Sequence, residues 1–157
     1  MIRGIHHVAI STPDLDRLTD FYIAALEAEI VLESQWADEP RIDAMIDLEN
    51  SAARQRMLRV GNTHVELFEY SSPAPKPIDP GYPPSDHGYA HLAFDVVDID
   101  AEFDRLVDLG MTFSRRAPDG RHIRAIYGRD PDGNIIELQE VIEPSIPFHF
   151  SNLEIRP

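Results

Sequence analysis

Short stretches of alternating apolar and polar residues occur along the chain, and two longer stretches repeat their apolar residues at helical spacing. Residues 6–10 alternate and are rich in β-branched side chains, which predicts a strand. A helix is predicted over residues 13–27, with Thr12 as its N-cap and Pro13 at its first position. The apolar face of this helix consists of Leu15, Leu18, Tyr22, Ala25 and Leu26.

The same order of elements is predicted a second time in the second half of the chain. Asp98 is the expected N-cap of a second helix, and Gly110 stands where a left-handed residue commonly ends one. Its apolar face consists of Ile99, Phe103, Leu106 and Val107. Three strands should follow each helix, over 28–33, 56–60 and 63–70 in the first copy and over 112–115, 123–127 and 134–141 in the second. The predicted order is βαβββ, present twice.

Matching residues in the two copies indicate an internal duplication. Aligning His7 with His91 superposes HVAI on HLAF, and a second match superposes Glu66 on Glu137. The interval between the two matches is longer in the first copy than in the second. The first copy therefore contains additional residues between its histidine and its glutamate.

The duplication also defines the expected organisation of a single domain over residues 1–157. The first module covers 1–70 and holds its additional residues within 33–54, a segment of weak strand character with an exposed-looking Trp36. We interpret that segment either as a lid over a site or as a surface loop without a role. Residues 71–86 contain six prolines. Proline removes the backbone donors that a sheet needs, so we interpret this segment as a linker. The second module covers 87–141, and 142–157 form a C-terminal tail.

Composition and charge narrow the classes of function. The chain has 157 residues, of which 43% are hydrophobic and 27% charged, as in an ordinary globular domain. Its net charge of −14 repels phosphate backbones and anionic lipids, so nucleic acid and membrane surfaces are poor partners. The absence of cysteine excludes disulfides and thiolate metal sites. With no apolar run long enough for a signal peptide or a membrane span, we expect a cytoplasmic protein.

Strand parity places four polar residues on one kind of surface. His7 and His91 point away from their apolar neighbours, as do Glu66 and Glu137, so each module presents one histidine and one glutamate opposite its helix. Two imidazoles and two carboxylates suit one divalent ion of Mn, Fe, Co, Ni or Zn with open positions. A single strand histidine or glutamate is usually an ordinary surface residue, but the same pair occurring twice favours a metal site.

The motifs HHVAISTPDLDRLTDFY, VELFEY, HLAFDVVDID and DPDGNIIELQE closely resemble the vicinal oxygen chelate superfamily, over residues 5–141. This superfamily includes glyoxalase I, methylmalonyl-CoA epimerase, extradiol dioxygenases, and fosfomycin and bleomycin resistance proteins. The resemblance implies an α+β fold in which paired βαβββ modules form a cupped mixed sheet, with the helices on its outer face. It also implies that the ligands of one divalent metal are His7, Glu66, His91 and Glu137. One departure from the family is the absence of a glycine after the first helix.

The resemblance further implies a metal-dependent lyase or isomerase of the glyoxalase or epimerase type. Glu137 is the expected base that removes a proton beside a metal-chelated carbonyl, with Glu66 on the opposite side of the substrate. An extradiol-type dioxygenase is the first alternative, which Glu66 argues against and Tyr127 weakly supports. A binding protein without chemistry is the second alternative. We expect a small-molecule substrate and a homodimer; whether the modules pair within one chain or across a dimer stays open.

Other polar residues have weaker claims to a role. Tyr127 and His87 could line the site, although a strand aromatic and a solvated loop histidine are the more ordinary interpretations. His64 shares the face of Glu66 and could support the ligands, whereas His6 has the opposite parity to His7. A local positive cluster could meet a substrate carboxylate or phosphate or form surface ion pairs; it consists of Arg121, Arg124 and Arg129. The helix aspartates, which include Asp16 and Asp100, are interpreted as caps and solvated residues.

Overall fold

The computed structural model describes residues 1–153, and the chain divides into two compact units. The first unit comprises Gly4–Ile78. The second unit contains the residues from Asp79 onward, together with Met1–Arg3. Each unit contains one four-stranded sheet of mixed strand direction. The expected α+β class and the duplicated βαβββ order are both confirmed.

The first unit is built around a crossover between two parallel strands. Its elements are β1 (His7–Ser11), α1 (Leu15–Leu26), β2 (Glu29–Ala37), α2 (Pro40–Ile46), β3 (Ala52–Val60) and β4 (Thr63–Ser72). The strands lie in the order β1-β4-β3-β2, with β1 parallel to β4 and the other pairs antiparallel. Parallel strands need a long connection between them, and α1 provides part of it while packing on β3 and β4.

The second unit repeats this arrangement with shorter strands. Its elements are β5 (Leu92–Asp95), α3 (Ile99–Asp108), β6 (Thr112–Phe113), β7 (Ile123–Arg129), β8 (Ile135–Val141) and a 3-10 helix (Phe150–Asn152). The strand order is β5-β8-β7-β6, with β5 parallel to β8. The 3-10 helix lies within the predicted C-terminal tail, of which residues 154–157 lie outside the described part of the chain.

Each unit has its own apolar core between sheet and helix. Tyr22, Leu18 and Leu58 are fully buried in the first unit, and Ile99, Leu106 and Leu138 are nearly or fully buried in the second. Complete burial of a large apolar side chain contributes about 1.5–3 kcal/mol. Val107 is exposed, so its predicted place on the packed face of α3 is wrong. Within residues 1–153, no helix combines the length and apolar character that a membrane span requires.

The start of α1 differs from the prediction by one cap. Asp14, not Thr12, is the N-cap, and its side chain accepts a hydrogen bond of 3.0 Å from the Arg17 backbone N–H. The Thr12 hydroxyl instead accepts from the Asp14 backbone N–H at 3.1 Å. In α3 the predicted cap is confirmed, since Asp98 accepts from the Ala101 backbone N–H at 3.2 Å.

The additional segment of the first module contains more regular structure than expected. β2 extends to Ala37 and β3 begins at Ala52, so only 38–51 separate the two strands. These residues include the short helix α2, whose Asp43 accepts hydrogen bonds from the backbone N–H groups of Asn50 and Ser51, both at 2.9 Å. Trp36 is half-buried and donates to the Ser51 hydroxyl at 2.8 Å, so its predicted exposure is wrong.

The proline-rich segment contains no helix or strand after Ser72. Arg129 on β7 connects it to the second unit, donating to the carbonyl of Tyr82 at 2.5 Å and to that of Gly133 at 2.7 Å. The Tyr82 hydroxyl in turn accepts from the Ile135 backbone N–H at 3.4 Å. These contacts hold Tyr82, which belongs to the second unit, against β7 and β8.

An ion-pair cluster occurs at equivalent places in both units, on the helix side of each sheet. In the first unit Arg54 pairs with Asp16 at 3.1 Å and with Glu69 at 2.5 Å. The corresponding cluster in the second unit joins Arg124 to Asp100 at 2.8 Å and to Glu140 at 3.9 Å. Both clusters connect the beginning of a helix to the two antiparallel strands beneath it. The predicted cap role is confirmed for Asp14 and Asp98, whereas Asp16 and Asp100 are partly exposed and also ion-paired.

Candidate metal centre

The first unit brings His7 and Glu66 together from two neighbouring strands. In the parallel pair β1 and β4, Ala9 is opposite Glu66, which places His7 diagonally next to that glutamate on the same face. The apolar Val65 and Leu67 point to the other face and are fully buried. His7 Nε2 and Glu66 Oε2 are 3.3 Å apart, and Glu66 is only 8% exposed.

The second unit reproduces this contact with His91 and Glu137. Ala93 of β5 is opposite Glu137 of β8, and His91 directly precedes β5. His91 Nε2 lies 3.0 Å from Glu137 Oε2. Both side chains are partly exposed, with 29% and 14% of their surfaces accessible. Each unit therefore presents one imidazole nitrogen and one carboxylate oxygen in contact.

In each pair, the two donor atoms are separated by the distance expected when both bind the same metal ion. Two donors at about 2.1 Å from a metal are about 3.0 Å apart at a right angle and about 3.4 Å apart at the tetrahedral angle. The observed values of 3.3 Å and 3.0 Å fall within that interval. Among residues 1–153 there is no group of three or more histidine and acidic side chains gathered for a metal. The predicted set of four ligands thus stays a prediction built on two observed pairs.

Two further polar residues contact the first pair and were not found from the sequence. Gln55 of β3 donates from Nε2 to Glu66 Oε1. The hydroxyl of Ser34 on β2 donates to Gln55 Oε1 at 2.8 Å. The cross-strand register places both residues on the face of Glu66, a relation that requires knowing how the strands pair.

Tyr127 lies beside the second pair. It is directly opposite Glu137 in the register of β7 and β8, and its ring centroid is 4.8 Å from that of His91. Partial burial, followed by the charge of Glu137, raises the pKa of its hydroxyl above the usual value, so Tyr127 is protonated at neutral pH. This position brings Tyr127 next to the proposed chemistry, whereas the sequence favoured an ordinary strand aromatic.

The remaining histidines have different surroundings. His6 contacts His7 through the two Nδ1 atoms at 2.8 Å, so one of the rings donates and the other accepts. This contact leaves His7 Nε2 directed toward Glu66. His64 stacks on His6 with ring centroids 5.4 Å apart, and His6 in turn contacts His7 of the first pair. His87 is exposed, directly after the proline-rich segment.

The arginines of the predicted positive cluster serve separate structural contacts. Arg124 is paired with Asp100, and that guanidinium holds the pKa of the Asp100 carboxyl below its usual value. Arg129 is bound to backbone carbonyls, as described above. Arg121 is exposed. Two of the three cations are therefore already engaged within the second unit.

Two surface cavities differ in their relation to the pairs. One of about 360 Å³ borders Glu137 and is also lined by Ser114, Ala125, Ile126 and Tyr127. Another, of about 600 Å³, lies at the far end of β2 and β3 and includes Trp36 and Arg54 but none of the four predicted ligands. Space for a small molecule beside a predicted ligand is thus found next to Glu137.

Aromatic side chains extend the face of the first unit that carries His7 and Glu66. Phe68 and Tyr70 follow Glu66 at every second position of β4, and Trp36 packs edge-on against both, with ring centroids 5.9 Å from each. Partial burial, together with the charge of Glu66, raises the pKa of Tyr70. The face that carries His7 and Glu66 therefore ends in an apolar aromatic surface.

Comparison with known proteins gives matches across most of the chain. The model of the family described as Glyoxalase/Bleomycin resistance protein/Dioxygenase superfamily matches residues 4–138. A relative named 2-epi-5-epi-valiolone epimerase, from an Actinomyces species, is 39% identical over 101 residues. The matched region is 62% of this chain and 54% of the relative, so the match spans about half the length of that relative.

Solved structures share the fold at lower identity. A glyoxalase family protein from Bacillus cereus superposes with a TM-score of 0.81 at 21% identity, covering 90% of this chain and 96% of its own. A mutant of the fosfomycin resistance protein FosX from Listeria monocytogenes, solved with Mn(II) and 1S,2S-dihydroxypropylphosphonic acid, gives a TM-score of 0.60 at 22% identity. That match covers 90% of this chain and 94% of FosX. At these identities the likeness concerns the fold.

Proposed function

Because this chain belongs to the glyoxalase/bleomycin resistance protein/dioxygenase superfamily, we propose that it is a divalent-metal-dependent isomerase of the epimerase type, or a lyase of the glyoxalase type. The observation that carries the proposal is the paired contact of histidine and glutamate, His7 with Glu66 and His91 with Glu137. The proposed ligands are these four residues. The ion is Mn, Fe, Co, Ni or Zn, which borderline nitrogen and carboxylate donors bind.

When bound, the metal supplies Lewis-acid stabilisation of negative charge on a substrate oxygen, worth several kcal/mol. The residues of the chain hold the substrate and move the proton. Glu137 is the proposed base, because its carboxylate borders the cavity of about 360 Å³. Among residues 1–153, His91 is the side chain within hydrogen-bond distance of this carboxylate. The rest of the Glu137 carboxylate can therefore approach a substrate.

Glu66 differs from Glu137 in its surroundings. It is buried and receives a hydrogen bond from Gln55 in addition to its contact with His7. A carboxylate held by two neighbours is suited to binding an ion. To return a proton to the substrate, this carboxylate must first move away from those neighbours. We therefore assign the first proton transfer to Glu137 and place Glu66 on the opposite side of the substrate.

The epimerase-named relative supports proton abstraction as the reaction class. An epimerisation beside a carbonyl requires removal of an acidic C–H proton and its return to the other face, which two carboxylates can perform. Tyr127 beside His91 favours the extradiol-type dioxygenase as the second candidate. A non-catalytic binding protein is the third, and all of the candidates take a small-molecule substrate.

The decisive experiment follows exchange of substrate hydrogen with solvent deuterium by NMR. The substrates to test are hemithioacetals, acyl-CoA thioesters and 2-epi-5-epi-valiolone, each with and without Mn²⁺. We expect exchange that needs the metal but not oxygen, and a loss of about 100-fold or more in Glu137→Gln. The matched control is Glu49→Gln, which changes an exposed glutamate of the first unit outside both pairs.

Two outcomes would contradict the proposal. Stoichiometric O₂ uptake with ring cleavage of a catechol would establish the dioxygenase and give Tyr127 a catalytic role. Tight binding of a substrate without exchange of any hydrogen would establish the binding protein.

A further inference from the structure

The strongest further signal is a chain of polar contacts that ends on one carboxylate of the proposed metal site. The Ser34 hydroxyl donates to Gln55 Oε1 at 2.8 Å, and Gln55 Nε2 donates to Glu66 Oε1. Glu66 Oε2 is the atom that approaches His7 Nε2, at 3.3 Å. The two oxygens of Glu66 thus have separate partners, one an amide and the other the histidine.

The chemistry of these groups fixes the direction of the contacts. An ionised carboxylate only accepts hydrogen bonds, so the Gln55 amide must present N–H to Glu66. Its carbonyl oxygen is then directed away, where it accepts from Ser34. Glu66 therefore sets the amide orientation, and Ser34 holds Gln55 in place by donating to the remaining carbonyl oxygen.

Burial makes this support energetically significant. Glu66 is 8% exposed, and a buried carboxylate without donors is strongly disfavoured. The register places Met57 directly opposite Glu66, so the nearest residue of β3 supplies no hydrogen bond. Gln55, diagonally adjacent on the same face, supplies the donor instead.

Among residues 79–153, no equivalent support is found for Glu137 of the second unit. Tyr127 occupies the place of Met57 in its register, and Ala125 occupies the place of Gln55. Alanine has no hydrogen-bonding side chain, and Ala125 lines the cavity next to Glu137. The two glutamates of the repeat are therefore held differently, although their contacts with histidine are alike.

We propose that Gln55, supported by Ser34, is a positioning residue that holds the Glu66 carboxylate in place for metal binding. This inference rests on the proposed function and adds to it the pair of residues that supports one of the two carboxylates. Residues that hydrogen-bond to a metal ligand typically change metal affinity about 10- to 100-fold when removed.

The test measures Mn²⁺ affinity of the full chain by isothermal titration calorimetry. We expect Gln55→Leu to weaken Mn²⁺ binding about 10- to 100-fold without lowering the melting temperature by more than about 3 °C. Ser34→Ala should weaken it about 3- to 10-fold, because one neutral hydrogen bond is lost. Met57→Leu is the matched control, since it alters a residue opposite Glu66 without removing a hydrogen bond, and should bind as the wild type does.

Two additional measurements separate positioning from general damage. The double variant Ser34→Ala/Gln55→Leu should bind Mn²⁺ no more weakly than Gln55→Leu alone, because Ser34 acts through Gln55. The visible absorption of bound Co²⁺ should change in Gln55→Leu and not in Met57→Leu, because the arrangement of the ligands changes. If Gln55→Leu fails to fold, Gln55→Met provides the same test with an unbranched side chain.

The outcomes distinguish this inference from the proposed function. If Glu66→Ala loses Mn²⁺ while Gln55→Leu binds it as tightly as the wild type, the positioning role is overturned and the metal site stands. Additive effects of Ser34→Ala and Gln55→Leu would also overturn it. If the wild type binds none of Mn²⁺, Fe²⁺, Co²⁺, Ni²⁺ and Zn²⁺, or if Glu66→Ala binds the metal as tightly as the wild type, both proposals are overturned.

Discussion

At the scale of single residues, Glu27 shows a cost that the family's usual glycine avoids. It ends α1 with φ 52° and ψ 36°, in the left-handed region. Residues with a Cβ atom adopt this conformation at a cost of about 1 kcal/mol, whereas glycine adopts it freely. Gly110, near the end of α3, has φ 100° and performs the corresponding task without that cost. The first helix is therefore terminated by a less favourable residue than the second.

Glu27→Gly should stabilise the protein for this reason. We expect the free energy of unfolding to rise by about 0.5–1 kcal/mol, measured by urea denaturation, because relief of strain exceeds the added entropy of the unfolded chain. Ala24→Gly is the control, since it places glycine at an exposed interior position of α1 and should cost about 1 kcal/mol. Equal destabilisation by both substitutions would contradict the explanation.

At the scale of elements, the repeated ion pairs show how each helix is attached to its sheet. Besides the guanidinium contacts, Glu69 accepts from the Leu15 backbone N–H at 3.1 Å, and Glu140 accepts from that of Asp98 at 2.8 Å. Each acidic residue of the last strand therefore compensates a free N–H group at the beginning of a helix. Duplication thus preserved a structural cluster on the helix side as well as the candidate ligands on the other side.

The pKa values of these clusters predict a pH dependence of stability. Hydrogen bonds from Arg56 and Arg54 lower the pKa of Asp16, and that from Arg124 lowers the pKa of Asp100. Since the folded pKa lies below the unfolded value, the stabilisation is present above about pH 4 and is lost as the pH falls through the folded pKa.

We therefore expect acid to destabilise the wild type more than the double variant Asp16→Asn/Asp100→Asn. Urea denaturation between pH 4.5 and 2.5 should show a shallower slope in the variant, by up to about one proton for each aspartate. Asp108→Asn is the control, because within residues 1–153 Asp108 forms no ion pair. An unchanged slope in the double variant would contradict the assignment.

At the scale of the whole molecule, the duplication places one histidine and glutamate pair in each unit, and the proposal requires both pairs to bind the same ion. We expect one Mn²⁺ per chain. His7→Ala and His91→Ala should each lose most of it, because only three of the four proposed ligands remain. Equilibrium dialysis with metal analysis measures the stoichiometry, and circular dichroism checks that the fold is kept. His87→Ala, outside both pairs, should retain the metal.

Two other results would contradict the prediction of one shared ion. Two Mn²⁺ ions per chain, with each histidine variant losing only one, would mean that each unit binds its own ion. Full occupancy in both variants would remove His7 and His91 from the site.

Local patterns in the sequence were sufficient to predict the family, the repeated βαβββ order apart from α2, and the sides of the strands. The family match confirms the resemblance carried by motifs such as HLAFDVVDID. Alternation along a strand is a property of neighbouring residues, so it correctly placed Glu66 and Glu137 opposite the helices. Asp98 as a cap is local in the same way, since its side chain bonds three residues ahead.

Only the tertiary structure decided which polar groups meet across strands, because the register depends on pairing between distant residues. This is why Gln55 and Ser34 were not found, although both lie on the face of Glu66. The same limit applies to Trp36, which is half-buried through contacts with β4 and Ser51. The duplication alone could not distinguish the proposed ligands from structural ion pairs, because both kinds of residue occur in both copies. Their positions on opposite faces of folded sheets distinguish the Glu66 pair from the Arg54 cluster.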